Sequence, residues 1–168
     1  EGGDPHVTRC GPHEEIASEI ADSLKAHIPL VAFNAGFDLE ILEHELRRHQ
    51  LPSLTERVSG GVRPVIDPLV LDRAVVRYRK GKRTLGDLMD VYGIHEAPDA
   101  DLRTAEVDVV ATLDVLGALA HAHARALPDS LEELHDFQVR AHRDWAESFN
   151  SWLVSKGRNA DVSTAWPY

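Results

Sequence analysis

One cysteine, Cys10, and one methionine, Met89, are all the sulfur-bearing residues the chain has. A lone thiol excludes an internal disulfide and fits a reducing compartment, so the expected location is the cytoplasm. No apolar run approaches the roughly 20 residues a membrane-spanning helix needs. No segment has the layout of a signal peptide, so no membrane partner is expected. Internal repeats and low-complexity tracts are lacking as well. Positive charge is in deficit: 18 Lys and Arg stand against 28 Asp and Glu, a formal net charge of −10. That balance argues against a charge-driven coating of nucleic acid. An initiator methionine is lacking too; the chain opens on Glu1 and reads as a fragment.

What remains is globular. Hydrophobic residues make up 43% and charged residues 27% of 168 residues, enough for one ordinary domain with a real core. The first twelve residues carry Gly2, Gly3, Pro5, Gly11 and Pro12 and read as coil. Ile16, Ile20 and Leu24 then recur every fourth residue, with Glu14 and Glu15 at the start, which predicts an amphipathic helix over residues 13–26. Pro29 to Phe33 is a short continuous apolar run of the kind that forms a buried parallel strand. Asn34 to Gly36 turns into a second helix with Leu39, Leu42 and Leu46 on its apolar face. Residues 52–61 read as a loop, 62–66 as a second strand, and Asp67-Pro68 as a capped helix start.

Further along, Thr84 with Asp87 three residues on marks another helix start, and Tyr92-Gly93 its stop. A helix rich in Ala, Val and Leu is expected over residues 103–125. A last one, capped by Ser130, runs to about Lys156, with Leu134, Ala141, Trp145, Phe149, Trp152 and Leu153 at helical spacing. The order strand–helix–strand–helix implies an α/β fold with parallel strands joined by right-handed crossovers.

Asp38 lies four residues beyond the strand end, in the first turn of the following helix. Ligands in open α/β folds gather beyond the carboxyl ends of strands, so the position suits chemistry. On placement alone, a carboxylate complementing the helix dipole is the stronger reading. The surrounding pattern changes that. Asn34-x-x-Phe37-Asp38-x-x-x-Leu42 after an apolar strand resembles the second exonuclease motif of the DnaQ-like (DEDDh) 3′→5′ exonuclease family, to which the proofreading subunit of bacterial DNA polymerase III is related. Val65 to Leu71 resembles the strand and helix start that come next in that family, and Lys82 to Ile94 its short helix ending in Tyr-Gly. Arg103-Thr104-Ala105-Glu106-Val107-Asp108-Val109-Val110-Ala111-Thr112 resembles the third motif, His-x4-Asp at a helix start. The tail resembles that of stand-alone actinobacterial members, with a helical extension ending near Trp166-Pro167.

The resemblance implies a ribonuclease H-like fold, with a partial exonuclease domain over residues 1–127 and a C-terminal helical extension over 128–168. It implies that Asp38 and Asp108 are catalytic metal ligands and that Asn34 and Phe37 shape the pocket for the substrate end. The implied cofactor is a pair of Mg²⁺ or Mn²⁺ ions about 3.5–4 Å apart, the arrangement of two-metal hydrolysis. The implied partner is a single-stranded DNA 3′ end, with RNA as an alternative and a DNA polymerase as a candidate protein partner.

Two departures stand out. Arg103 occupies the slot of the catalytic histidine; arginine keeps its proton and only donates hydrogen bonds, so it cannot act as general base. Thr104 fills the position a tyrosine variant would use. The family's first motif, Asp-x-Glu on a strand, is absent together with the antiparallel strands that carry it. The Asp38-Leu39-Glu40 triplet is the one such spacing, and it lies in a helix start. Activity is therefore expected to be impaired, and a non-catalytic nucleic-acid or polymerase-associated module is the alternative. An open cleft between Asp38 and Asp108 and an unpaired sheet edge follow as expectations. Asp67 reads as a helix cap rather than a ligand. Arg77, Arg79, Lys80, Lys82 and Arg83 read as solvated charge at a helix end or as a phosphate contact. The aromatic stripe of the last helix reads as core or interface packing, with base stacking as the other use.

Overall fold

The computed structural model describes residues 11–95 and 105–168. Among the described residues seven α-helices and two strands follow one another: α1 (Pro12–Lys25), β1 (Leu30–Val31), α2 (Ala35–Arg48), α3 (Leu54–Arg57), β2 (Val65–Ile66), α4 (Pro68–Val75), α5 (Leu85–Tyr92), α6 (Ala105–Ala122) and α7 (Leu131–Ser155), with a 3₁₀ turn at Ala124–Ala126. The strands pair in parallel, Leu30 opposite Val65 and Val31 opposite Ile66. The fold is of the α/β class and rich in helix. Both strands lie where the apolar runs place them but are shorter than expected. Val65 and Ile66 are fully enclosed, while Leu30 and Val31 are half-buried.

The helix starts obey local chemistry. Thr84 and Asp87 form a reciprocal capping box, and Gly93 ends α5 at φ 69°, a left-handed conformation that suits glycine. Ser53 and Glu56 form a second box that starts α3 inside the segment expected to be loop. The α1 face is turned by one residue from expectation: Ala17, Ala21 and Leu24 are buried, whereas Ile16 is 48% exposed. These small alanines enter one core cluster with Leu39, Leu46, Leu54, Val58, Val65 and Trp166. Arg57 of α3 reaches back to Glu14 of α1, Nη2 to Oε2 at 2.6 Å.

The basic segment is only partly solvated charge. Arg79 and Arg83 both bind the carboxylate of Asp72, whose side chain is fully buried, and the Tyr92 hydroxyl donates to it at 2.8 Å. Burial alone would raise the Asp72 pKa; hydrogen bonds from Arg79 and Tyr92 and the two arginine charges hold it below the usual range.

The core face of α7 also differs from the apolar stripe expected. His135, Gln138, Ala146 and Leu153 are its buried residues. Two of these are polar because they finish the sheet. His135 Nδ1 accepts from the Val65 amide at 3.1 Å, Gln138 Oε1 from the Asp67 amide at 2.7 Å, and Gln138 Nε2 donates to the Val65 carbonyl at 3.0 Å. The outer edge of β2 is thus satisfied by side chains of a helix. β1 carries no second strand partner among the described residues.

Candidate functional site

Asp67 sets the geometry. Its side chain caps α4 by accepting from the Leu69 amide at 2.9 Å, as expected. The same carboxylate also accepts from the amides of Asn34 at 3.0 Å and Ala35 at 2.9 Å, across the sheet. Asn34 stands at the N-cap of α2 in a left-handed conformation, φ 64°, and its own side chain makes no cap bond. Asp67 supplies that cap from the neighbouring strand. Burial pushes the Asp67 carboxyl up, and the backbone N–H groups pull against that shift.

Held this way, the start of α2 delivers Asp38 to a cavity of about 410 Å³. Val31, Ala32 and Phe33 line it from the carboxyl end of β1. Asp108, Ala105 and Val109 line it from the first turns of α6. The two carboxylates, 70 positions apart in sequence, therefore share one cavity. Neither has a hydrogen-bond or ion-pair partner among the described residues. Partial burial against the apolar walls raises the Asp38 pKa. Carboxylate oxygens with no cationic neighbour among the described residues match the preference of Mg²⁺ and Mn²⁺ for carboxylates and water. The donor set fits in chemistry and falls short in number: among the described residues two carboxylates line the cavity, where a two-metal cage uses four.

Asn34 and Phe37 face elsewhere. They line an adjoining cavity of about 400 Å³ with Arg73, His142 and the C-terminal tail residues Ser163, Trp166 and Pro167. The tail is bound closely there. Gly36 leaves no room for a side chain, since a Cβ would stand 2.7 Å from the Pro167 carbonyl oxygen. The Tyr168 hydroxyl donates to Glu43 at 3.2 Å, and His142 Nε2 meets the Ser163 carbonyl at 3.0 Å. Phe37 itself is 60% exposed at the mouth. Arg103 lies outside the described residues.

One cluster escaped the sequence reading. His13 of α1, Glu45 of α2 and His49, the residue that caps the end of α2, place one ligand atom each within 4.8 Å of one another. The Glu45-x-x-x-His49 spacing puts two of them on one helix face and could have signalled it. Its imidazole donors suit a transition ion rather than Mg²⁺.

Comparisons with protein-family models, with curated proteins and with solved structures find no match.

Proposed function

We propose that this chain is a member of the DnaQ-like exonuclease family, with a ribonuclease H-like core, acting on DNA 3′ ends through divalent metal at Asp38 and Asp108, and weakened in this form. The observation that supports the reading most is the meeting of those two unpartnered carboxylates in one cavity beyond the carboxyl end of β1. Two independent motif matches called for that meeting. A helical protein with accidental matches has no reason to bring positions 38 and 108 together.

In this reading Asp38 and Asp108 hold the metal from two helices that the Asp67 clamp and the α5–α6 packing keep in place. When bound, the metal would supply an activated water and charge stabilisation for in-line displacement at phosphorus. Arg103 would steady a phosphate oxygen but take no proton from water. Phe37, at the neighbouring cavity mouth, offers an exposed ring to the terminal base. The Arg103 substitution also favours a second reading, a nucleic-acid- or polymerase-associated module that keeps the fold without the chemistry.

Mn²⁺ binding followed by electron paramagnetic resonance tests the metal site. Weak binding that is lost in both Asp38→Ala and Asp108→Ala is expected, because two carboxylates hold such an ion poorly. Mn²⁺ binding unchanged in the two variants would overturn the site.

A further inference from the structure

A cavity of about 430 Å³ with no role so far lies between α4 and α7. Arg73, Arg77 and Arg140 converge on it, together with Tyr78 and Trp145. None of these three arginines has an ion-pair partner among the described residues, and unlike Arg47, Arg125, Arg143 and Arg158, which also lack one, they converge on a single cavity. Asp144 is the one carboxylate on the lining. In a chain of net charge −10, three guanidinium groups without an ion pair around one cavity mark a place for an anion.

The surroundings narrow the anion's class. The Arg73 guanidinium lies 3.9 Å from the centre of the Trp145 ring, and Arg77 lies 5.9 Å from that of Tyr78. Tyr78 is 88% exposed, a flat ring presented to solvent. From Trp145 an aromatic ladder continues along α7: Trp145 stacks on Phe149 at 5.4 Å and Phe149 on Trp152 at 5.5 Å. Guanidinium groups beside a row of rings, of which Tyr78 and Trp152 are exposed, suit phosphates joined to flat bases, as in single-stranded nucleic acid.

Continuity with the candidate site gives the strand a direction. Arg73 lines both this cavity and the adjoining one that holds Phe37, and Phe37 is the residue before Asp38. We infer that the α4–α7 cavity binds the backbone and unpaired bases of a single DNA strand whose 3′ end lies at Asp38 and Asp108. The inference rests on the proposed phosphodiester site for its choice of ligand, and it adds a binding surface that the motif residues do not contain.

The test is fluorescence anisotropy of a labelled oligothymidylate on the full chain, in EDTA, across a salt series. Arg77→Ala/Arg140→Ala, at two exposed positions, is expected to weaken binding about tenfold. It should also flatten the salt dependence by about 1.4, two phosphate contacts at about 0.7 each. Tyr78→Ala is expected to weaken binding about threefold or more with the salt slope unchanged, the signature of lost stacking. Polyglutamate at equal charge should fail to displace the oligonucleotide. Mn²⁺ binding by Asp38→Ala and Asp108→Ala reads the metal site, and anisotropy in EDTA with the arginine variant reads the strand site, so a failed metal site and a failed strand site give different results. No measurable binding by the unaltered chain overturns the inference. So does equal binding by the double arginine variant, or displacement by polyglutamate with no effect of Tyr78→Ala.

Discussion

At the scale of single residues, Asp67 and Gly36 do most to fix the candidate site, and neither touches the cavity that holds Asp38 and Asp108. Asp67 gathers three amides, from Asn34, Ala35 and Leu69, onto one buried carboxylate. Asp67→Ala leaves those donors without that acceptor, and each such loss costs about 1–3 kcal/mol. Urea denaturation is expected to show a loss of about 3 kcal/mol or more, with the start of α2 loosened. A loss below about 1 kcal/mol would mean that water replaces the clamp. Half of Asp67 was legible. Asp-Pro announced the cap on α4, but the bonds to Asn34 and Ala35 depend on strand pairing across 32 and 33 positions, which no local pattern encodes. Gly36 was legible only as a turn residue, whereas its demand is a close approach by the Pro167 carbonyl. Gly36→Ala is expected to push the tail away at a cost of about 1–3 kcal/mol, the range for overpacking. Faster carboxypeptidase trimming at Tyr168 would report the release; unchanged trimming and stability would show that the tail can shift without cost.

Among the elements, α7 departs furthest from its sequence pattern. An apolar stripe was legible there, yet the buried positions include His135 and Gln138, because β2 needs polar partners more than apolar cover. The same misreading, in a milder form, affects α1, where hydropathy favours Ile16 but the packed face takes Ala17 and Ala21. α3 went unseen since four residues are too few for periodicity, although its Ser53–Glu56 box is written in the sequence. The histidines of α7 give it a pH dependence. Burial first, and then Arg63, lowers the pKa of His135 below its ordinary 6.5. Burial likewise lowers that of His142, with the Arg73 charge adding to it. The unfolded chain therefore takes up protons at a higher pH than the folded one, and stability falls as pH drops through about 6.5. His135 Nδ1 must also stay unprotonated to accept from Val65. His135→Gln keeps an acceptor without titrating, so its melting temperature should vary less between about pH 7.5 and pH 5.5 than that of the unaltered chain. Parallel curves for the two proteins would exclude His135 as the source.

Over the whole molecule, the α/β class and the convergence of Asp38 with Asp108 were readable because apolar strand runs and motif spacing survive in the sequence. The separation of Asn34 and Phe37 into a tail-covered cavity was not readable, since it depends on where residues 158–168 return. Nor was the pairing of Arg79 and Arg83 with Asp72, which lies within an apolar helix start. Two carboxylates at the cavity also set an expectation for catalysis. A general base contributes about 10²–10⁴-fold when the rest of a site is in place. Under the proposed function, and with two of the four carboxylates found among the described residues, Arg103→His in this chain is expected to change nucleotide release from single-stranded DNA by no more than about twofold. A gain in the full range would show that the cage is already complete and that the register of the metal ligands is wrong.

The unequal edges of the sheet bear on how copies of the chain can meet. His135 and Gln138 occupy the bonding groups of β2, so sheet growth can proceed only past β1. Two copies joined there would each use their one open edge on the other, an isologous contact that closes at two. Fibres need two free edges per molecule, and the sheet formed by the described residues offers one.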